Sequence, residues 1–274
     1  MSTGAIFARL ADAPALVIAA YRVGLATLIL APFALWKARD ELLKLTKADL
    51  SCAVLSGLFL ALHFTAWISS LNYTSVANSV VLVNTNPLWV SLLSPMVTRE
   101  RIKPIVALSI LISVVGATLI GIGNIHIGGK AFLGDTLALA GGICASLYLL
   151  LGRNLRRKLS LLSYVFICYG SAAVLLWITV LILNLKVCGF SSETLTALWA
   201  SALIPQLIGH TSYNWALKWF SASLISISLL GEPIGSTLLA YVLFDETLTL
   251  QKAVGGVLIM IAIYLSAVSE KKNS

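Results

Sequence analysis

The sequence predicts an all-α polytopic membrane protein: a ten-helix inverted repeat, five helices and five, with its first helix truncated at the N-terminus. Three observations predict it. Hydrophobic residues make up 59% of the chain and charged residues 11%, with a mean hydropathy of +0.95. A soluble chain carries about a quarter charged residues, and no soluble core hides this much apolar surface. Apolar runs of about 20 residues, the length that crosses a bilayer, recur from end to end. Lysines and arginines gather in alternate gaps between those runs.

In chain order the runs cover residues 15–36, 50–71, 75–97, 105–122, 135–151, 161–183, 195–216, 221–244 and 250–268. That makes nine, preceded by only ten residues of a tenth. The start, MSTGAIFARLAD, has neither a basic segment nor a full apolar core, so no cleavable signal peptide is expected. The gaps are brief and hold Asp, Asn, Gly, Lys and Arg, as turns at a membrane surface do. Of the 19 Lys and Arg, fourteen fall in the set of gaps that includes Lys37, Arg99, Arg153 and Lys218. Four (Arg9, Lys130, Lys186 and Lys252) fall in the other set, and Arg22 lies inside a run. The first set is therefore expected on the cytoplasmic side of the cell membrane, together with the C-terminus. The net charge of +8 reads as topology in this setting, and no nucleic acid partner is expected. Cys52, Cys144 and Cys168 fall in apolar runs and only Cys188 in a loop, which reads as packing rather than a disulfide framework.

Sliding the chain against itself by 146 residues places Asn86-Pro87 on Glu232-Pro233, Glu100 on Glu246, Ser75 on Ser221 and Gly24 on Gly170. The predicted units are residues 1–124 and 134–270. Each holds an odd number of spans, so the two have opposite orientations in the membrane. Run 135–151 maps to a position that begins before Met1, so a recorded start downstream of the true one is favoured over a shortened first helix.

Within the runs, polar residues that would be costly facing lipid mark the expected site. Glu232 is the deepest carboxylate and stands directly before Pro233, inside LLGEPIGS. One reading makes it a cation or proton site. The other makes it a hydrogen-bond donor to a carbonyl exposed by the proline, which has no N–H and breaks the helix. Asn86, before Pro87, is its repeat mate. Arg22 needs an anion, a carbonyl cluster or a route to the interface by snorkelling. Gln206, His210 and Asn214, spaced i, i+4, i+8, are expected on one helical stripe. His63 and Trp67 share a face with Ser56 and Ser70. Trp67, Trp89 and Tyr213 are candidates to stack on a planar or cationic ligand, and interhelical bonding is the plain alternative for the polar set. The expected cavity residues are thus Glu232, Asn86, Arg22, His63, Trp67, Gln206, His210, Tyr213 and Asn214, with helix breaks at Pro87 and Pro233. GIGNIHIGGK (121–130), with its lone His126, has no phosphate-loop spacing. No metal-ligand spacing or catalytic set is found, and no cofactor or metal is expected.

With AAYRVGLATLIL (19–30), TNPLWVSLLSPMVTRE (85–100), GEPIGSTLLAYVLFDE (231–246) and GGVLIMIAIYLS (255–266) on the page, the chain resembles the EamA-like transporters of the drug/metabolite transporter superfamily. The resemblance covers nearly the whole chain. It implies ten helices, both termini inside, and alternating access to a central cavity. It implies a small-molecule substrate (amino acid, nucleobase-like compound or cationic drug) without choosing one, and efflux as the direction. The expected partners are that substrate and the lipid bilayer, with a homodimer left open. The rival readings are a membrane-embedded enzyme acting on lipid, which needs acid/base or metal groups clustered at one interface, and a non-transporting scaffold.

Overall fold

The computed structural model describes residues 1–74, 76–100, 102–121, 129–244 and 248–271. His126, Glu246, Ser75 and Arg101, used in the sequence reading, lie outside the described residues. In order the helices are α1 (Gly4–Leu10), α2 (Ala15–Lys37), α3 (Arg39–Leu43), α4 (Lys47–Ser70), α5 (Val76–Val83), α6 (Asn86–Val97), α7 (Pro104–Gly121), α8 (Gly129–Arg156), α9 (Leu161–Ile182) and α10 (Ser192–Ser201). A π-helical segment (Ala202–His210) runs into α11 (Thr211–Ala216), and α12 (Ala222–Leu229), α13 (Gly231–Phe244) and α14 (Leu250–Lys271) follow. Among the described residues, seven spans are long and apolar enough to cross a membrane, and α7 is a shorter apolar helix. The molecule is an all-α, multi-pass membrane protein.

Local sequence sets the helix starts. Thr46, Ser160, Ser191 and Ser221 cap α4, α9, α10 and α12, each hydroxyl accepting from the amide three residues on, which gives an orphan donor its partner. The same logic divides two spans. Asn84 and Thr85 form a turn between α5 and α6, and Pro87 sits in the first turn of α6. Pro233 sits in the first turn of α13, just past the end of α12 at Leu230. In the first turn the missing N–H is one that the new helix does not use, and the cost falls on a carbonyl at the end of the preceding helix.

The span over 192–216 departs from expectation. It is α-helical only at its ends and winds as a π-helix through Ala202–His210, with Pro205 inside. Pro205 has no N–H to return to Ser201, and the chain takes up the slack in a wider turn.

Packing joins particular spans. α2 runs along α9, α4 lies against both α8 and α9, α7 packs along α14, and α1 touches α10. Glycines allow the closest approaches. A Cβ on Gly57 would fall 2.0 Å from the Ser171 hydroxyl and 2.4 Å from the Cys168 carbonyl of α9. On Gly116 it would fall 2.6 Å from the Gly255 carbonyl, and on Gly255 2.5 Å from that of Gly116. On Gly142 it would fall 2.7 Å from the Val83 carbonyl, which is the one that Pro87 leaves without its helical donor.

Outside the spans, α3 is tied to the start of α9. The Ser160 amide donates to the Glu41 carboxylate at 2.7 Å, and the hydroxyls of Ser160 and Ser163 donate to its other oxygen. Partial burial pushes the Glu41 carboxyl up, but these three donors pull it further down, to a net position below the ordinary 4.5.

Two expectations follow. Gly57→Ala costs about 1–3 kcal/mol by overpacking and lowers the melting temperature in detergent. Gly231→Ala, with nothing within 4 Å of the added carbon, does not. The Glu41 contacts, whose folded pKa is depressed, stabilise above the ordinary carboxylate value and weaken as pH falls through the lowered one. The melting temperatures of the parent and Glu41→Gln therefore differ at neutral pH and converge on acidification below about pH 4.

Candidate substrate cavity

The two divided spans face each other across a small cavity inside the bundle. Its wall comprises His63 and Trp67 of α4, Val83, Asn84 and Asn86 at the first break, and Ala145, Tyr148 and Leu149 of α8. His210, Tyr213, Leu229, Glu232 and the Met1 side chain complete it. The remaining space is about 30 Å³, room for a water or two, where a small-molecule pocket holds about 300–1,000 Å³. Two larger apolar hollows, of about 650 and 640 Å³, lie on the outer surface, one along α13 and α14 and one between α2 and α9. Each is walled almost wholly by apolar side chains, as lipid-facing grooves are.

Several wall residues are fixed from behind. His63 Nδ1 lies 2.9 Å from the Gly141 carbonyl. A carbonyl only accepts, so Nδ1 carries the proton and Nε2 is the bare acceptor. The His63 ring stacks on Trp67, with ring centres 5.9 Å apart and planes 7° apart. Gly141 has no side chain to hold α8 off α4 at this point, where a Cβ would meet the Trp67 amide at 3.3 Å. His210 Nδ1 shares a short hydrogen bond with the Tyr213 hydroxyl. Asn214 donates to the hydroxyls of both Tyr148 and Tyr169. Glu232 is 8% exposed and shares the wall with Asn84, whose amide donates to the Val80 carbonyl at 2.8 Å. The Ser146 hydroxyl donates to the Asn86 carbonyl at 3.2 Å, so α8 serves the first break with a hydroxyl as well as with Gly142.

Six of the nine residues expected from the sequence line the cavity: Glu232, Asn86, His63, Trp67, His210 and Tyr213. Arg22, Gln206 and Asn214 lie a layer behind the wall. Arg22 is 1% exposed, so the snorkelling reading is corrected: the side chain turns inward. Its Nε donates to Gln206 Oε1 at 3.0 Å, and its guanidinium lies 4.4 Å from the Phe64 ring centre and 5.7 Å from that of Trp67. Gly4 of α1 leaves space for it, since a Cβ there would meet Arg22 Nη1 at 3.2 Å. Glu232 and Arg22 feel each other electrostatically across this region. Gln206, His210 and Asn214 are all buried on the inward side of their span, Gln206 reaching Arg22, His210 the cavity and Asn214 the tyrosines.

Ser56 and Ser70 do not extend the wall. Ser56 bonds the Tyr164 hydroxyl at 2.8 Å, and Ser70 bonds Ser79 at 2.6 Å. Trp89 stands off it, with Nε1 3.3 Å from the Thr85 hydroxyl. Sequence reasoning missed Tyr148 and Leu149. The available signal was a tyrosine in mid-run, where tyrosines more often mark the membrane interface.

Among the described residues, Trp67 Nε1, Asn86 Oδ1, Gln206 Nε2 and Asn214 Oδ1 are buried without a hydrogen-bond partner. Unpaired buried polar atoms are costly, and two of these four belong to side chains on the cavity wall. Behind the wall, Gln206→Leu strips the Arg22 Nε of its acceptor. It is expected to cost about 1–3 kcal/mol, read as a lower melting temperature in lipid or detergent, whereas Gln206→Glu retains the bond and most of the stability.

The profile of the EamA-like transporter family matches residues 1–122 and again 132–268. A protein of Clostridium kluyveri described as an uncharacterized transporter is 26% identical over 259 residues, which is 89% of this chain and 81% of that protein. One of Archaeoglobus fulgidus with the same description is 24% identical over 92% of this chain and 88% of its own length. A solved crystal structure superposes with a TM-score of 0.79 at 19% identity, covering 100% of this chain and 94% of that one, and shares the fold. With helices that cross the membrane many times and a family match over nearly all of its length, the chain belongs to the EamA-like transporter family and is a membrane transporter.

Proposed function

We propose that the chain is a secondary transporter that moves a small organic metabolite through the cytoplasmic membrane by alternating access, with export as the direction. The candidate classes are amino acids, nucleobase-like compounds and organic cations. One observation carries the reading: a narrow cavity of mixed polar and apolar lining between two proline-divided spans, holding a buried carboxylate, aromatic faces and unpartnered amide and indole groups. Such breaks at mid-membrane are tolerated where they line a cavity. Because the space is about 30 Å³, any metabolite requires the wall to open, so transport entails a change of conformation.

An inverted repeat of residues 1–124 and 134–270 is part of the reading. Several observations support it: the family profile matches twice, α2 pairs with α9, α7 pairs with α14, and the fourth and ninth spans divide at equivalent positions. The basic residues support a cytoplasmic C-terminus. Glu232 is assigned the cation or proton of the cycle, and Asn86, Trp67, His63, His210, Tyr148 and Tyr213 the substrate contacts. Arg22, Gln206 and Asn214 support the wall from behind.

Uptake and counterflow of a metabolite panel in proteoliposomes, with Glu232→Gln beside the parent, test this. The parent is expected to move at least one solute down an imposed gradient, and Glu232→Gln to lose pH dependence or about tenfold or more in rate. No solute moved under any gradient refutes the transport reading. Unchanged rate and pH response in Glu232→Gln removes the role given to Glu232.

A further inference from the structure

The basic run at the end of α8 was read from the sequence as a topology signal, but its side chains mostly reach other helices. Arg153 Nε donates to Glu100 Oε1 at 2.9 Å, just past the end of α6, and its Nη1 donates to the Leu217 and Lys218 carbonyls at 2.7 and 3.2 Å, just past the end of α11. Asn154 donates to the Val97 carbonyl, the last residue of α6, at 2.7 Å. Arg156 Nε donates to the Asn214 carbonyl of α11 at 3.0 Å. Arg157 Nη2 reaches Glu100 Oε1 at 2.6 Å, and Lys158 pairs with Asp49 of α4 at 3.0 Å. Four consecutive positions of α8, 153–156, thus include three that hold helix-end carbonyls. Cations suit helix C-termini because those carbonyls carry the negative end of the helix dipole.

The helices tied here are the ones that wall the cavity. Arg153 stands five residues beyond Tyr148, about 7.5 Å along α8, and Leu217 stands four beyond Tyr213, about 6 Å along its helix. The first break supplies Asn86, and the same helix ends at Val97. Toward the opposite end of α8, among the described residues, the Thr74 hydroxyl donates to Asp135 at 2.7 Å. Apart from the Arg156 bond to the Leu159 carbonyl in its own turn, the bonds of Arg153, Asn154 and Arg156 join a side chain at this end to another element, so those links can release without unwinding a helix. Glu100 is unevenly used as well. Oε1 takes both guanidiniums, while Oε2 is buried without a partner.

We propose that Arg153 and Glu100, with Arg157, Asn154 and Arg156, form a lock that closes the cavity at the face bearing the C-terminal end of α8, and that its release opens the cavity to that face. Arg153 and Glu100 are gating residues and do not touch the transported solute. The proposal rests on the cavity being the transport site.

The test needs no substrate, so its outcome is separable from that of the uptake assay. Ala145→Cys places a thiol on the cavity wall in a background whose four native cysteines are replaced. A membrane-impermeant thiosulfonate is applied to sealed vesicles of either orientation. Glu100→Gln and, separately, Arg153→Lys are expected to speed labelling about tenfold from the α8 C-terminal face alone, with melting temperatures recorded beside them. Arg157→Gln, the most exposed arm at the carboxylate, gives a smaller gain. A disulfide between cysteines at positions 100 and 153 is expected to abolish the labelling from that face and to restore it on reduction. Unchanged rates in both variants overturn the lock, and so does equal acceleration from both faces, which marks a loosened bundle. If either variant fails to insert, the disulfide pair decides: labelling from that face that persists in the cross-linked form overturns it.

Discussion

In hydrocarbon, every backbone N–H and C=O must find its partner within the protein. This structure is organised around the two places where a proline makes that difficult. At the first, Pro87 leaves the Val83 carbonyl without its helical donor, and α8 answers with Gly142, which brings its backbone close, and with Ser146, whose hydroxyl reaches the Asn86 carbonyl. At the second, Pro233 opens α13 and its carbonyl takes the Ser236 hydroxyl at 3.2 Å. The breaks are paid for by polar side chains that a continuous apolar helix would not carry, and those side chains make the cavity.

Buried charge is handled by the same restraint. Among the described residues Arg22 forms no ion pair. It is held by one amide oxygen, two aromatic faces and a glycine that makes room for it. Such an arrangement keeps a cation in the bundle without cancelling it, and its field still reaches Glu232. The span that winds as a π-helix through its middle carries Gln206 to Arg22 and His210 to the cavity.

Most of the fold was legible from the chain itself. The apolar runs mark the spans to within a few residues, because burial in lipid demands a continuous hydrophobic stretch and leaves little freedom at its ends. The proline positions mark where spans divide, since the missing N–H acts locally. Less was legible where the outcome depends on neighbours. Nothing around Pro205 distinguishes a kink from a π-helix until α2 and α9 are in place. Tyr148, Ser56 and Ser70 look alike as polar residues in apolar runs, and only packing shows that the first faces the cavity while the other two bond elsewhere. Arg153 and Arg156 read as membrane-side charge, which they are, but the carbonyls they hold belong to helices more than fifty residues away in the chain.

The contact between Gly116 and Gly255 has a mechanical consequence. With backbone against backbone at the crossing, Ile120 and Ile259 wedged beside it and apolar side chains packed on either side, α7 and α14 have little room to slide. Packing this close favours their moving as one post. Probe pairs fixed to this post report a constant separation, so the molecule carries its own ruler. Distances measured from it to α6, α8 or α11 would read displacement of the cavity wall directly, with tumbling of the whole protein in the bilayer already subtracted.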